Sequence, residues 1–83
     1  MSISGPAYIE IIDFIAGGPT PESVAHFQPS PAAQERVATL LNRQQESVLS
    51  PDEKVELDHF MDLEHILRMA KARARQILAT MVS

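Results

Sequence analysis

Residues Ser50 to Met81 read SPDEKVELDHFMDLEHILRMAKARARQILATM, and this stretch decides the fold. Its start predicts a helix N-terminus, because the Ser50 hydroxyl can cap a backbone N–H, Pro51 suits the first helical position and Glu53 can complete a capping box. No glycine or proline follows Pro51. Apolar residues then recur at alternating spacings of three and four, as in the seam of a coiled coil or long bundle helix: Phe60, Leu63, Leu67, Ala70, Ala74, Ile77 and Met81. The pattern predicts one long helix over residues 51–81.

Two more Ser/Thr-Pro steps, at residues 20–21 and 30–31, carry the same helix-start chemistry. The first is followed by a short apolar segment that ends before a proline, and the second by an amphipathic stripe of alanine, valine and leucine. These patterns predict helices over residues 21–27 and 31–46.

Residues 7–16 are rich in isoleucine, which favours a strand. No second strand-like segment is available to pair with them, however, and Glu10 and Asp13 lie three apart, on one side of a helix. Gly17-Gly18-Pro19 ends the segment. We therefore predict a helix over residues 7–16 and an all-α fold. The single helical domain, 1–83, would pack three short N-terminal helices on the first part of the long C-terminal helix.

The long helix is too long for a compact domain of this size. At about 1.5 Å per residue it measures roughly 48 Å, whereas the expected diameter of the domain is about 30 Å. We therefore expect a second chain to cover its second part, either in a homodimer or as a different protein partner. The alternatives are a break near Met69–Ala72, with two shorter helices folded on each other, and a core that is wholly intramolecular. The candidate partner-binding residues supply apolar contact or positive charge: Leu67, Ala70, Lys71, Arg73, Ala74, Arg75, Ile77 and Met81.

Charge changes sign along this helix. The acidic residues Asp52, Glu53, Glu56, Asp58, Asp62 and Glu64 come first, and Arg68, Lys71, Arg73 and Arg75 follow. This order complements the helix dipole on a solvated face. It also suits an electrostatic clamp, through antiparallel pairing of two such helices or docking on an acidic partner or on phosphates. A nucleic-acid-binding regulator that uses residues 68–75 is thus an alternative function, although no aromatic residue is interleaved there for base stacking.

Composition narrows the class of protein further. The net charge of −4 disfavours non-specific nucleic-acid binding by the chain as a whole. The absence of cysteine excludes disulfides and thiolate metal sites. No apolar run reaches the length of a membrane span, and the first residues lack the pattern of a signal peptide, so we expect a soluble, cytoplasmic protein. No nucleophile motif or phosphate-binding loop is present, so we expect no enzymatic activity and no cofactor.

Two acid–histidine pairs lie three residues apart on the long helix, Glu56 with His59 and Asp62 with His65. Helical bundles bind metals through a glutamate and a histidine at this spacing. These side chains lie off the apolar seam, however, and no such pair occurs elsewhere in the chain. We therefore favour surface ion pairs and hydrogen bonds, and keep a metal site as a lesser alternative.

Two segments carry a resemblance to a known family. Residues 8–18, YIEIIDFIAGG, and residues 57–75, LDHFMDLEHILRMAKARAR, resemble a family of small all-helical bacterial proteins that is common in cyanobacteria. Members look like the small antitoxin-like partner of a nuclease encoded beside them. The resemblance implies an inhibitory or regulatory role with no catalytic residue. This chain lacks the N-terminal DNA-binding element of a typical antitoxin, so operator binding is not implied.

Overall fold

The computed structural model describes residues 6–82, which form four helices and, within that range, no strand. The helices are α1 (Ile9–Ala16), α2 (Pro21–His26), α3 (Pro31–Gln45) and α4 (Pro51–Val82). The predicted all-α fold with a long C-terminal helix is confirmed, and each boundary lies within two residues of its predicted position.

Three of the helices begin at the Ser/Thr-Pro steps. The Ser50 hydroxyl accepts a hydrogen bond from the Glu53 backbone N–H at 3.1 Å, and the Glu53 carboxylate accepts one from the Ser50 N–H at 3.0 Å. This is the predicted capping box. Thr20 and Ser30 likewise accept hydrogen bonds from the backbone N–H groups three residues further on. Each of these three helix starts therefore has the short-range cap that its sequence predicts.

The connection between α3 and α4 is a tight reversal. The Val48 N–H donates to the Arg43 carbonyl at 2.9 Å and the Ser47 N–H to the Gln44 carbonyl at 3.1 Å, which is the Schellman pattern of a helix C-terminus. Ser47 occupies the left-handed position of this motif, with φ of 60°. A residue with a side chain is strained there, whereas glycine is not.

We expect the substitution Ser47→Gly to stabilise the protein by about 0.5–1 kcal/mol, because it relieves the left-handed strain while the two hydrogen bonds stay in place. Urea unfolding followed by helical circular dichroism measures the difference. Ser47→Ala serves as the control, since it keeps the strain and should not stabilise. Equal stability of the glycine and alanine variants would contradict the strain argument.

Helix α4 sets the shape of the molecule. It runs without interruption over 32 residues, and the structure measures 51 × 23 × 18 Å. The alternative of a break near Met69–Ala72 is therefore wrong. No glycine or proline interrupts the i to i−4 hydrogen bonds of this helix, and helices break sharply at such residues.

Helix α1 runs parallel to α4. The Ala7 N–H donates to the Glu56 carboxylate at 3.0 Å, and the Tyr8 ring meets the His59 ring edge-on with centroids 5.2 Å apart. Ile12, one turn further along α1, borders a hollow that Leu63 also lines. The contacts thus advance together along both helices, which shows that α1 and α4 run in the same direction over this stretch.

Helix α3 runs antiparallel to α4. Arg43, near its C-terminal end, pairs with Glu53 in the first turn of α4, and Arg36, two turns earlier, pairs with Glu56. The buried core lies where these helices meet α1, and its members are apolar: Ala7, Ile11, Val37, Leu40, Leu57, Phe60 and Leu67. Helices α1 and α3 therefore pack on the first part of α4.

The second part of α4 is covered more fully than the sequence suggests. The chain reverses at Gly18, whose φ of 69° favours glycine, and the following helix α2 lies against α4. Ala74 is only 4% exposed, and Ala70 and Ile77 are half-buried. Ala74 thus belongs to the molecule's own packing and is not open to a second chain.

Within residues 6–82, none of the helices combines the length and the apolar composition that a membrane crossing requires.

Candidate functional site

An open apolar groove lies between α3 and α4 and is the leading candidate site. Its volume is about 380 Å³. Its floor consists of core side chains that are nearly or fully buried, including Ile11, Phe60 and Leu67. The rest of its wall comes from Pro29, Gln34, Val37, Ala38, Leu41, Glu64, Arg68 and Lys71. On the α3 side, the exposed residues Ala38 and Leu41 border the opening.

The groove has a basic rim on the α4 side. Arg68 and Lys71 both line it, and Arg75 follows one turn after Lys71 on the same side of the helix. The Arg68 guanidinium donates to the Glu64 carboxylate at 2.8 Å, whereas Lys71 makes no ion pair with any described residue. The rim thus presents net positive charge beside an apolar floor.

The structure divides the predicted partner-binding residues among different environments. Leu67 and Lys71 line the groove. Ala74 is buried, and Ala70 and Ile77 are half-buried. The remaining three, Arg73, Arg75 and Met81, are exposed on α4. The predicted set is therefore not one surface, and the groove adds four residues of α3 that were not among the candidates: Gln34, Val37, Ala38 and Leu41. The apolar stripe of α3 includes Val37 and Leu41, whereas no sequence pattern indicates Ala38.

An ion pair fixes α3 against α4 below the groove. The Arg36 guanidinium donates two hydrogen bonds to the Glu56 carboxylate, each at 3.1 Å, and the Ala7 N–H donates a third to the same group. Partial burial acts to raise the pKa of Glu56, but the hydrogen bonds from Arg36 and Ala7 outweigh it and hold that pKa below the ordinary 4.5. One carboxylate therefore ties three parts of the chain together.

A second carboxylate fixes the start of α3. The Glu10 side chain accepts hydrogen bonds from the Ser30 N–H at 2.8 Å and from the Ser30 hydroxyl at 2.5 Å. The same hydroxyl accepts from the Ala33 N–H at 3.1 Å as the helix cap. Negative charge is favourable at a helix N-terminus. Glu10 thus positions the end of the groove at which Pro29 and Gln34 lie.

Acidification is expected to destabilise the protein through Glu56 and Glu53. The hydrogen bond from the Ser50 backbone N–H, followed by the charges of Arg43 and Arg36, lowers the pKa of Glu53 as well. A depressed folded-state pKa contributes stability that is present above the unfolded value and is lost as pH falls through the folded value. The free energy of unfolding should therefore be steady from pH 7 to about 5 and fall below about 4.5. Urea titrations at each pH measure it.

The control for this pH dependence is Glu56→Gln. Removing the Glu56 charge should lower the free energy of unfolding at neutral pH. It should also reduce the further decrease in that free energy as the pH falls. Asp58→Gln, at an exposed carboxylate that forms no ion pair with any described residue, should leave the profile unchanged. Identical acid profiles for the native chain and Glu56→Gln would contradict the role given to Glu56.

The acid–histidine spacing does not converge on a metal site. Glu56, His59, Asp62 and His65 follow one another at three-residue intervals, so each lies about 60° further around the helix than the one before. Glu56 is engaged by Arg36, and His59 contacts Tyr8. In the part of the chain that the structure describes, no three acidic or histidine side chains are grouped to hold a metal ion.

The basic segment 68–75 does not form one cationic face. Arg68, Lys71 and Arg75 lie on the groove side of α4, whereas Arg73 lies on another side of the helix, at 3.6 residues per turn. Arg68 is paired with Glu64. Three of the four cations thus share the groove side of α4, and Arg73 is separate from them.

Comparisons with protein-family models, with curated proteins and with solved structures find no match to this chain.

Proposed function

We propose that the protein is a non-enzymatic protein–protein interaction module whose α3–α4 groove binds an apolar, acidic segment of a partner protein. The observation that carries this proposal is the apolar floor of the groove beside a rim with net positive charge. Apolar side chains of a partner would bury the floor, and partner carboxylates would meet Lys71 and Arg75. Apolar burial supplies most of the affinity in such contacts, while charge supplies orientation and association rate.

The resemblance of residues 8–18 and 57–75 to antitoxin-like proteins nominates a nuclease as this partner. In that role the module would act by occupancy: it would hold a segment of the nuclease and need no catalytic residue. The rigid attachment of α3 to α4 through Glu56 supports such a role, because a preformed groove loses less entropy when it binds.

The groove is tested by two matched pairs of variants. Ala38→Glu places a carboxylate in the groove, while Ala79→Glu places the same side chain on an exposed site of α4 away from it. Lys71→Glu reverses the rim charge, while Lys54→Glu makes the same change in the first turn of α4. Each groove variant should weaken partner binding at least tenfold, which corresponds to about 1.4 kcal/mol, and each control should not.

The measurement is affinity purification of the tagged full chain from its native cell, with quantitative mass spectrometry across the four variants and the native chain. Binding of the recovered partner is then titrated with purified proteins at low and moderate salt. A partner that the native chain and both controls retain, and that both groove variants lose, supports the proposal. A partner that all five chains retain equally contradicts the groove as its site, and recovery of no partner contradicts the function.

A further inference from the structure

A second exposed surface, away from the groove, carries four large apolar side chains. On α4 these are Ile66 and Met69, which are 52% and 56% exposed, and on α1 they are Ile12 and Ile15, which are 40% and 45% exposed. Ile12 lines a hollow together with Asp62 and Leu63 of α4, and Ile15 follows Ile12 by three residues on α1. We call these four residues the outer face. Half-exposed apolar side chains that cluster in this way are typical of contact surfaces.

Two opposite charges bracket the α4 part of the outer face. Asp62 lies four residues before Ile66, and Arg73 lies four residues after Met69. At 3.6 residues per turn, these four residues fall within about 60° of the helix circumference. Both charged side chains are exposed, and neither forms an ion pair with a residue that the structure describes. The sequence of groups along this line is therefore acid, apolar, apolar, base.

This order is complementary to itself when it is reversed. The midpoint between Asp62 and Arg73 lies between residues 67 and 68 of α4. The midpoint between Ile66 and Met69 lies at the same place. We propose that the outer face pairs with a second copy of this chain across a two-fold axis at that point, so that the two α4 helices run antiparallel. Ile66 then lies against Met69 of the second copy, and Asp62 lies against Arg73 of the second copy.

The charges on α4 determine the relative orientation of the two helices and favour a second copy of this chain as the partner of the outer face. A parallel pair of α4 helices would place acidic half beside acidic half, whereas the antiparallel pair places Asp62 near Arg73 twice. Exposed ion pairs contribute little affinity, so the apolar contacts hold the dimer and the charges fix its register. A patch of this size gives a small interface, for which we expect a dissociation constant on the order of micromolar.

This pairing goes beyond the proposed function and uses a different surface. The outer face does not include Ala38 or Lys71 of the groove. A dimer would thus display two grooves, and its failure would leave the groove proposal intact.

The test is sedimentation equilibrium of the full chain from low to high micromolar concentration. Asp62→Arg should weaken the dimer at least tenfold, because it places an arginine against Arg73 of the other copy at both symmetry-related contacts. Arg73→Asp should also weaken the dimer at least tenfold, because it places an aspartate against Asp62 of the other copy at both contacts. The double variant Asp62→Arg with Arg73→Asp should recover the native dissociation constant to within about threefold, because it restores both pairs in this register alone.

Apolar contact is tested by Met69→Glu against Met61→Glu. Met61 is also on α4 and is 43% exposed, but it lies on another side of the helix. Met69→Glu should abolish dimerisation and Met61→Glu should not, with circular dichroism confirming that both fold. A chain that stays monomeric at the highest concentration overturns the proposal. A dimer that tolerates both single charge reversals, or that the double variant fails to restore, overturns the register.

Discussion

Replacing Leu40 with alanine is expected to lower the free energy of unfolding by about 3 kcal/mol. Leu40 is one of the largest fully buried side chains, and it belongs to the cluster in which α1, α3 and α4 meet. Truncation removes apolar contacts and leaves a cavity that the surrounding helices fill only in part. In a chain of 83 residues this is a large share of the total stability. Urea unfolding, with its midpoint and slope fitted together, measures the loss.

The neighbouring Leu41 provides the control for this prediction. It carries the same side chain on the same helix but is exposed at the edge of the groove. Leu41→Ala should therefore cost less than about 1 kcal/mol. Similar losses for the two alanine variants would show that α3 packs with another face towards α4.

Replacing Ala74 with glutamate is expected to destabilise the protein by about 3 kcal/mol or more. Ala74 is 4% exposed. Glutamate there must either bury an unpaired charge or displace the packing around it, and both are costly. Thermal unfolding followed by circular dichroism should show the loss already in dilute solution, where no second chain is bound.

Ala72→Glu is the matched control, since Ala72 is exposed two residues earlier on the same helix. It should change stability by no more than about 0.5 kcal/mol. If Ala74→Glu were as stable as Ala72→Glu and lost only partner binding, Ala74 would be a contact residue, as the sequence suggested. The pair of variants thus separates internal packing from partner binding on α4.

The features that could be predicted from sequence are those that neighbouring residues determine. The capping box of Ser50 and Glu53 closes over three residues, and the starts at Thr20 and Ser30 follow the same chemistry. The length of α4 follows from the lack of any glycine or proline after Pro51. Such local signals need no knowledge of the tertiary fold.

The features that could not be predicted from sequence depend on how the chain folds back on itself and brings distant residues together. The burial of Ala74 requires that the N-terminal helices fold back against α4, and an estimate of overall size does not contain that reversal. The same holds for Glu10, which bonds Ser30 twenty residues away, and for Glu56, which the spacing of residues had suggested as a metal ligand.

In the candidate site, too, local features could be predicted from sequence and tertiary ones could not. The second part of the α4 seam was expected to receive a partner, but Ala74 is buried and Ala70 and Ile77 are half-buried within the chain. The groove is bordered by Ala38, which no pattern in the sequence had indicated. The acidic and basic halves of α4 were visible in the sequence, yet several of these charges are engaged within the chain, Glu53 and Glu56 among them.

The central claim is that the groove between α3 and α4 binds a partner protein. Its most direct test is site-specific photo-crosslinking in the native cell, with a photoreactive amino acid at position 38 in the groove or at position 79 outside it. We predict one abundant adduct from position 38, mapping to an apolar, acidic segment of the partner, and no such adduct from position 79. Adduct formation from position 38 no greater than from position 79 would contradict the claim.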